Sequence, residues 1–353
     1  MRRATTRRTE RALGVMVGCG IALAMACEKQ RVAGPSTSVA DDGTATAPDE
    51  PIEPMTPRSA DSRDDPAAPR ALPRSSEVQD WIKTEPVRVA PAGQMKSLVD
   101  DEELARVLGA FHVERVARCA YQSPYATAQA VLVEASTPTD ALGAYSILVP
   151  HAGCTARDDG SLLASAKREN QLVVSACQGR VLLQLYCVLG DEEAGAKSCE
   201  RLAGRTVFSV PAADPPLLAQ AVRDVNPEQC DLWLVRTAAL LRGLDHPTLR
   251  RLNGAELNAR LGLTGEAVLS IVSVRQTRES APLVIWLAEY PTDDAAKAAN
   301  ERYRQAIKDA TGGLDQTTLL GSPRGRYLVG TWTAEQETAR NLVRMLEQVL
   351  AQR

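Results

Sequence analysis

Beyond Trp81 the chain moves between short apolar runs with a period of two and longer segments whose apolar residues return every three or four positions. The first pattern belongs to half-buried strands and the second to amphipathic helices. Val131-Leu132-Val133 leads through Pro138-Thr139-Asp140 into an Ala-rich segment containing Tyr145. Later, Val284-Ile285-Trp286-Leu287 leads through Pro291-Thr292-Asp293 into Ala295, Ala296, Ala299 and Tyr303. Thr139 and Thr292 are placed to cap helix starts, with Asp140, Asp293 and Asp294 where the helix dipole favours negative charge. A helix over 293–310 puts Ala295, Ala299, Tyr303, Ala306 and Ala310 on one face, small enough to sit close to a sheet. Gln178-Gly179 and Pro323-Arg324-Gly325 read as hairpin turns between alternating strands. Thr333 and Gln336 form a capping box for a last helix with Ala339, Leu342, Val343, Leu346, Val349 and Leu350 in one stripe.

The proline motif recurs after 153 residues, and Gly179-Arg180-Val181-Leu182 recurs as Gly325-Arg326-Tyr327-Leu328 after 146. Two matches in the same order point to an internal duplication. Each half reads strand, strand, helix, strand, strand, helix. The expected fold is α+β: two similar units of antiparallel sheet with helices on one face, related by a pseudo-two-fold axis. The units should cover 77–212 and 213–353, dividing near Pro211 to Pro216. Segments 217–224, 228–243 and 247–261 read as helices ahead of the second sheet, although Asn253-Gly254 interrupts the last. A doubly wound parallel sheet fits less well, because the hairpin turns are short and no glycine-rich phosphate loop is present.

The N-terminal 76 residues follow neither pattern. Arg2, Arg3, Arg7, Arg8 and Arg11 precede an uncharged run from Ala12 to Ala26, and Ala24 and Ala26 offer the small side chains of a cleavage site. That run spans about 22 Å as a helix, short of a ~30 Å hydrocarbon core. Residues 1–26 therefore read as a signal peptide cut after Ala26, leaving Cys27 as a lipid-bearing first residue. Leu23 stands four residues before Cys27, where the lipoprotein pattern has Leu three before, so plain secretion and an uncleaved anchor are the alternatives. Glu28 stands where many lipoproteins retained in the inner membrane carry Asp, and resemblance to those proteins implies the outer membrane over the inner. Residues 27–76 form a tether: 28–76 holds eight prolines and no aromatic residue, too little apolar surface to offset ordering entropy.

Composition narrows the function classes. The 353 residues carry 41 Lys+Arg against 44 Asp+Glu, a net charge of −3, and the basic residues are scattered and rarely beside aromatics. No nucleic-acid surface is indicated. In an oxidising envelope the cysteines read as disulfide candidates. Cys187 and Cys199 come first because they bracket a charged excursion, followed by Cys119, Cys154, Cys177 and Cys230. Zinc is disfavoured without a Cys-x-x-Cys, and the three histidines, His112, His151 and His246, form no His-x-x-x-His. No Gly-x-Ser-x-Gly elbow or Walker loop occurs. His151 with Cys154 is the nearest approach to a nucleophile pair, and a disulfide at Cys154 is the stronger reading. Asp158-Asp159-Gly160 reads as a turn, and adjacent carboxylates on a helix diverge by about 100°. No catalytic, cofactor-binding or metal-binding residue is assigned.

At Asp140-Ala141-Leu142-Gly143-Ala144-Tyr145-Ser146 the chain resembles a family of bacterial exported proteins known only as a domain of unknown function. Trp81, Val99-Asp100, Glu103-Leu104 and Gly109 roughly follow the family's Trp-containing start and first helix, whereas Asp101, Ala105 and Leu108 replace its glycines and tyrosines. The resemblance covers about 78–350 and implies a fold without an activity. The expected protein is a lipid-anchored, non-catalytic binding or interaction module of the cell envelope. Its expected partners are the membrane and an envelope protein or small ligand. The rivals are an envelope hydrolase and a small-ligand sensor with its site between the two units.

Overall fold

The computed structural model describes residues 60–64, 66–149, 161–168, 171–214, 216–223, 229–244, 246–275, 282–309, 318–332 and 336–351. The expected signal peptide, Cys27, the expected tether before Ala60, His151, Cys154, Asp158, Asp159, Ala310 and the expected cap at Thr333 lie outside them. The first half contains β1 (Ile82–Lys83), β2 (Arg88–Pro91), α1 (Glu102–Leu108), β3 (Val113–Gln122), β4 (Ala126–Ala135) and α2 (Pro138–Leu148). It continues with β5 (Leu162–Arg168), β6 (Gln171–Gln178), β7 (Val181–Leu189) and α3 (Glu192–Phe208). The second half contains α4 (Leu217–Arg223), β8 (Gln229–Val235), α5 (Gly254–Leu261), β9 (Val268–Arg275) and β10 (Leu283–Glu289). It ends with α6 (Asp293–Asp309), β11 (Thr318–Leu320), β12 (Tyr327–Trp332) and α7 (Gln336–Ala351). The architecture is α+β. Among the described residues the strands form two antiparallel sheets, ordered β1-β3-β4-β7-β6-β5, with β2 also on β3, and β11-β12-β10-β9-β8.

The two halves repeat down to their register. In each, a long hairpin (β3–β4 or β9–β10) runs into a helix, and the next hairpin (β6–β7 or β11–β12) returns its second strand beside the first. Glu134 pairs with Val181 and Glu289 with Tyr327, each glutamate three residues ahead of the threonine that caps the following helix. Those threonines are Thr137, whose Oγ1 accepts from Asp140 N at 3.1 Å, and Thr292, which accepts from Ala295 N at 3.2 Å. The cap in the first half is thus Thr137. Thr139 lies inside α2, because Pro138 occupies the first helical turn, where a missing N–H costs nothing. Both hairpin glycines adopt the left-handed backbone, Gly179 at φ 53° and Gly325 at φ 54°, which a side chain would disfavour.

Helices cover both faces of each sheet, where one face was expected. Val116, Val131, Val133 and Leu182 pack against α1 and α2, while their alternates Ala117, Leu132, Leu183 and Leu185 pack under α3. In the second sheet Val284, Trp286 and Ala288 meet α5 and α6, and Ile285, Leu287 and Val329 meet α4 and α7. Strands that are apolar on both sides require this, since each side must be withdrawn from water. The inner faces share one continuous core, so the halves are fused and not merely adjacent.

Three further expectations are corrected. The body starts near Ala60, well before residue 77: Ala60 and Leu72 are buried, Tyr121 donates to Pro73 O at 2.8 Å, and Lys83 holds Asp61 and Asp64. The tether's average composition concealed these few anchoring residues. Residues 228–243 are not one helix. Gln229–Val235 is strand β8, whose Leu232 and Leu234 face one core and Trp233 and Val235 the other, a two-sided apolar run that also fits a helix. Finally, Asn253-Gly254 does not break a helix but starts one: Asn253 Oδ1 accepts from Ala255 N at 3.1 Å, capping α5.

Cys187 and Cys199 form a disulfide that ties β7 to α3, and Cys230 is also disulfide-bonded. Cys119 and Cys177 are buried free thiols on β3 and β6, facing opposite sides of the sheet. Replacing Cys187 and Cys199 together by Ser is expected to lower stability by about 2–4 kcal/mol, since the 12-residue separation then closes no loop in the unfolded chain. Denaturant unfolding without reductant checks this, and an unchanged midpoint would speak against it.

Candidate functional site

A polar pocket opens on the inner face of the first sheet, where three strands break their apolar stripe. On β3 Arg118 follows Val116, on β4 Gln129 precedes Val131, and on β7 Gln184 and Tyr186 follow Leu182, all on the face that elsewhere carries the core. Antiparallel register sets Gln129 directly opposite Tyr186 and Gln184 opposite both Val131 and Ser175. The start of α1 supplies the opposite wall. Asp101 caps that helix, accepting from Leu104 N at 3.0 Å, because its extended backbone leaves the carboxylate over the first turn. The pocket encloses about 310 Å³ and is bordered by Leu98, Asp100, Asp101, Arg118, Gln129 and Tyr186 among others.

Its hydrogen bonds form two groups. Arg118 donates from Nη1 to Asp100 at 2.7 Å and to Leu98 O at 3.2 Å. Gln129, with its amide oxygen turned towards the guanidinium, accepts from Nε at 2.8 Å and from Nη2. The Tyr186 hydroxyl lies 3.0 Å from Asp101 and 2.8 Å from Gln184 Oε1, and donates its single proton between them. Burial, and then the Asp101 charge beside it, push the Tyr186 pKa well above its ordinary value. The hydroxyl is therefore a fixed hydrogen-bond donor near neutral pH and not a proton shuttle. A wider groove of about 900 Å³ shares Val99 and Asp100 with the pocket and runs between α1 and Thr237, Ala239 and Leu240 of the second half.

Three other polar constellations stand out among the described residues. His246 is buried with Nε2 3.0 Å from Ser273 Oγ, but its Nδ1 accepts from Thr248 N at 3.2 Å. A neutral ring then carries its proton on Nε2 and donates to the serine, the reverse of what a general base requires. Burial pushes the Cys119 and Cys177 thiols up to about 12, so neither is a thiolate nucleophile. No metal-holding group of His, Cys, Asp and Glu occurs among the described residues. A second concavity of about 710 Å³ carries Arg70, Arg115 and Arg180, but Arg115 is committed to Glu134 and Ala67 O, and Arg180 lies 3.3 Å from Glu114.

The Asp140–Ser146 motif is a joint between the halves. Asp140, fully buried, takes Arg236 Nε at 2.6 Å and Nη2 at 3.3 Å. Ser146 Oγ accepts from Leu234 N at 3.0 Å, and Gly143 leaves room for the Phe111 ring, which an added Cβ would meet at 2.3 Å. His112, half exposed, lies 3.9 Å from Asp140. Among the expected disulfide cysteines, only Cys187 and Cys199 are brought together within the described residues.

Sequence reading did not find Arg118, Gln129, Gln184 or Tyr186. Their signal was present: polar residues at inward positions of otherwise apolar strands, legible only once the facing side of each strand is known. Family models, curated proteins and solved structures offer no match to the chain.

Proposed function

We propose that this chain is a lipid-anchored cell-envelope protein whose body binds a small polar ligand without converting it. The observation that carries the binding role is the convergence of Arg118, Gln129, Tyr186 and Asp101 on one concave pocket, with no activated nucleophile beside them among the described residues. Placement at the envelope, with the outer membrane favoured, is supported by the arginine-rich leader, the uncharged run and the Ala-Met-Ala before Cys27. The Cys187–Cys199 disulfide suits an oxidising compartment. No helix among the described residues is long and apolar enough to cross a membrane. A ligand longer than the pocket would extend into the adjoining groove between the halves.

Two experiments test this reading. Thermal unfolding is measured against a panel of sugars, amino acids, organic acids and polyamines for the wild-type protein and Arg118→Gln. Some compounds should raise the wild-type midpoint and lose most of that effect in the variant. A panel without effect, or an effect that Arg118→Gln leaves intact, overturns the binding role. In a Gram-negative host, radiolabelled palmitate should enter the mature chain and be absent from Cys27→Ala. An unlabelled, soluble wild-type product contradicts the anchor.

A further inference from the structure

We infer that the ligand of the pocket is a small zwitterion, a free amino acid or a molecule with the same ammonium and carboxylate; this rests on the binding role proposed above. The pocket holds one positive and one negative inner group, each paired with a more exposed side chain. Arg118 is 15 % exposed, and its carboxylate partner Asp100 is 72 % exposed. Asp101 is 23 % exposed, and its cationic neighbour Arg168, at 3.9 Å, is 47 % exposed. The inner charges are thus held in place while their partners stand largely in water, where an ion pair contributes little.

A zwitterion can replace both partners at once. Its carboxylate would take the Arg118 edge now occupied by Asp100, and its ammonium would meet Asp101 in place of Arg168. Asp100 would return to solvent, and Arg168 would keep Glu103, already 3.4 Å away. The net charge of the pocket is the same before and after. A lone anion would leave Asp101 with Arg168 as its cation, and a lone cation would add nothing to Arg118, so neither uses the whole site. The volume of about 310 Å³ lies at the small end for ligand pockets and suits a molecule of amino-acid size. Tyr186, held as a donor between Asp101 and Gln184, keeps the anionic side oriented.

The test uses the full chain and isothermal titration with the twenty standard amino acids, then with the amide and N-acetyl forms of the tightest binder. At least one amino acid should bind saturably, and each capped form should bind about tenfold or more weakly, as expected for losing a charged hydrogen bond. Arg118→Gln should weaken the amino acid but not its amide. Asp101→Asn, which keeps the cap on α1, should weaken the amino acid but not its N-acetyl form. Thermal unfolding of both unliganded variants verifies that they fold. Capped forms that bind as tightly as the parent overturn the inference, as do variants that weaken every form equally. If no amino acid binds but an uncharged compound does, and Arg118→Gln abolishes it, the zwitterion falls and the binding role stands. If no compound of any class binds, both fall.

Discussion

Replacing Lys83 by Met should cost about 3–5 kcal/mol of folding stability, the usual penalty for stripping one partner from a buried ion pair. Lys83 is fully buried, with Nζ 2.7 Å from Asp64 and 3.1 Å from Asp61. The carboxylates are themselves built into the segment that reaches back across the sheet: Asp64 Oδ1 accepts from Val87 N at 2.8 Å, and Asp61 Oδ2 from Ser75 N at 3.1 Å. Losing the cation leaves two partly buried carboxylates side by side without the Lys83 counter-charge, and the stretch from Ala60 to Trp81 should become sensitive to limited proteolysis. The variant Lys83→Met with Asp61→Asn and Asp64→Asn should recover part of the loss, which a mere cavity would not. Burial alone would lower the lysine pKa, but the hydrogen bonds to Asp64 and Asp61 and the Asp64 charge outweigh it and raise it. A raised folded-state value means this stability is complete below the ordinary 10.5 and is lost only as pH rises above it. The wild-type minus Lys83→Met difference should therefore stay flat from neutrality to about pH 10 and shrink beyond. A difference that vanished near pH 8 would contradict this assignment.

The second large effect concerns the joint between the halves. Arg236→Met should destabilise the protein by about 3–5 kcal/mol, because Asp140 is fully buried and loses a two-point partner. Arg236 also donates to Gly265 O at 2.9 Å, so it fastens β8, the loop before β9 and α2 together. Asp140→Asn combined with Arg236→Met should cost less than the two single effects added, since the buried charge is then gone. Denaturant unfolding reads all three variants. Strict additivity, or a single-variant loss near zero, would show that the pair does not hold the halves together.

Much of the fold could be read before any coordinates, and the failures have physical causes. Gly179 and Gly325 marked hairpins because turns of that kind need the positive φ both adopt. The duplication was visible through Pro138 and Pro291, although the repeat is carried by Thr137 and Thr292, which cap by side-chain reach and not by proximity to the proline. Strand β8 was misread because a run buried on both faces has no polar alternation to reveal its period. The early start of the body escaped composition because it depends on an ion pair between Lys83 and residues some twenty positions earlier. The site escaped for a related reason: Arg118, Gln129 and Tyr186 belong to three strands, and only the register that pairs Gln129 with Tyr186 assembles them. Conversely, the most distinctive local motif, Asp140 to Ser146, proved to be a structural joint.

The most direct single measurement is a crystal structure of the chain grown with the compound that raises its thermal midpoint most. The expected result is an unaltered ligand between the Arg118 guanidinium and the Asp101 carboxylate, with Asp100 swung towards solvent. Ligand density only in the arginine-lined concavity near Arg70 and Arg180, or a chemically altered product in the pocket, would contradict a non-catalytic binding site there.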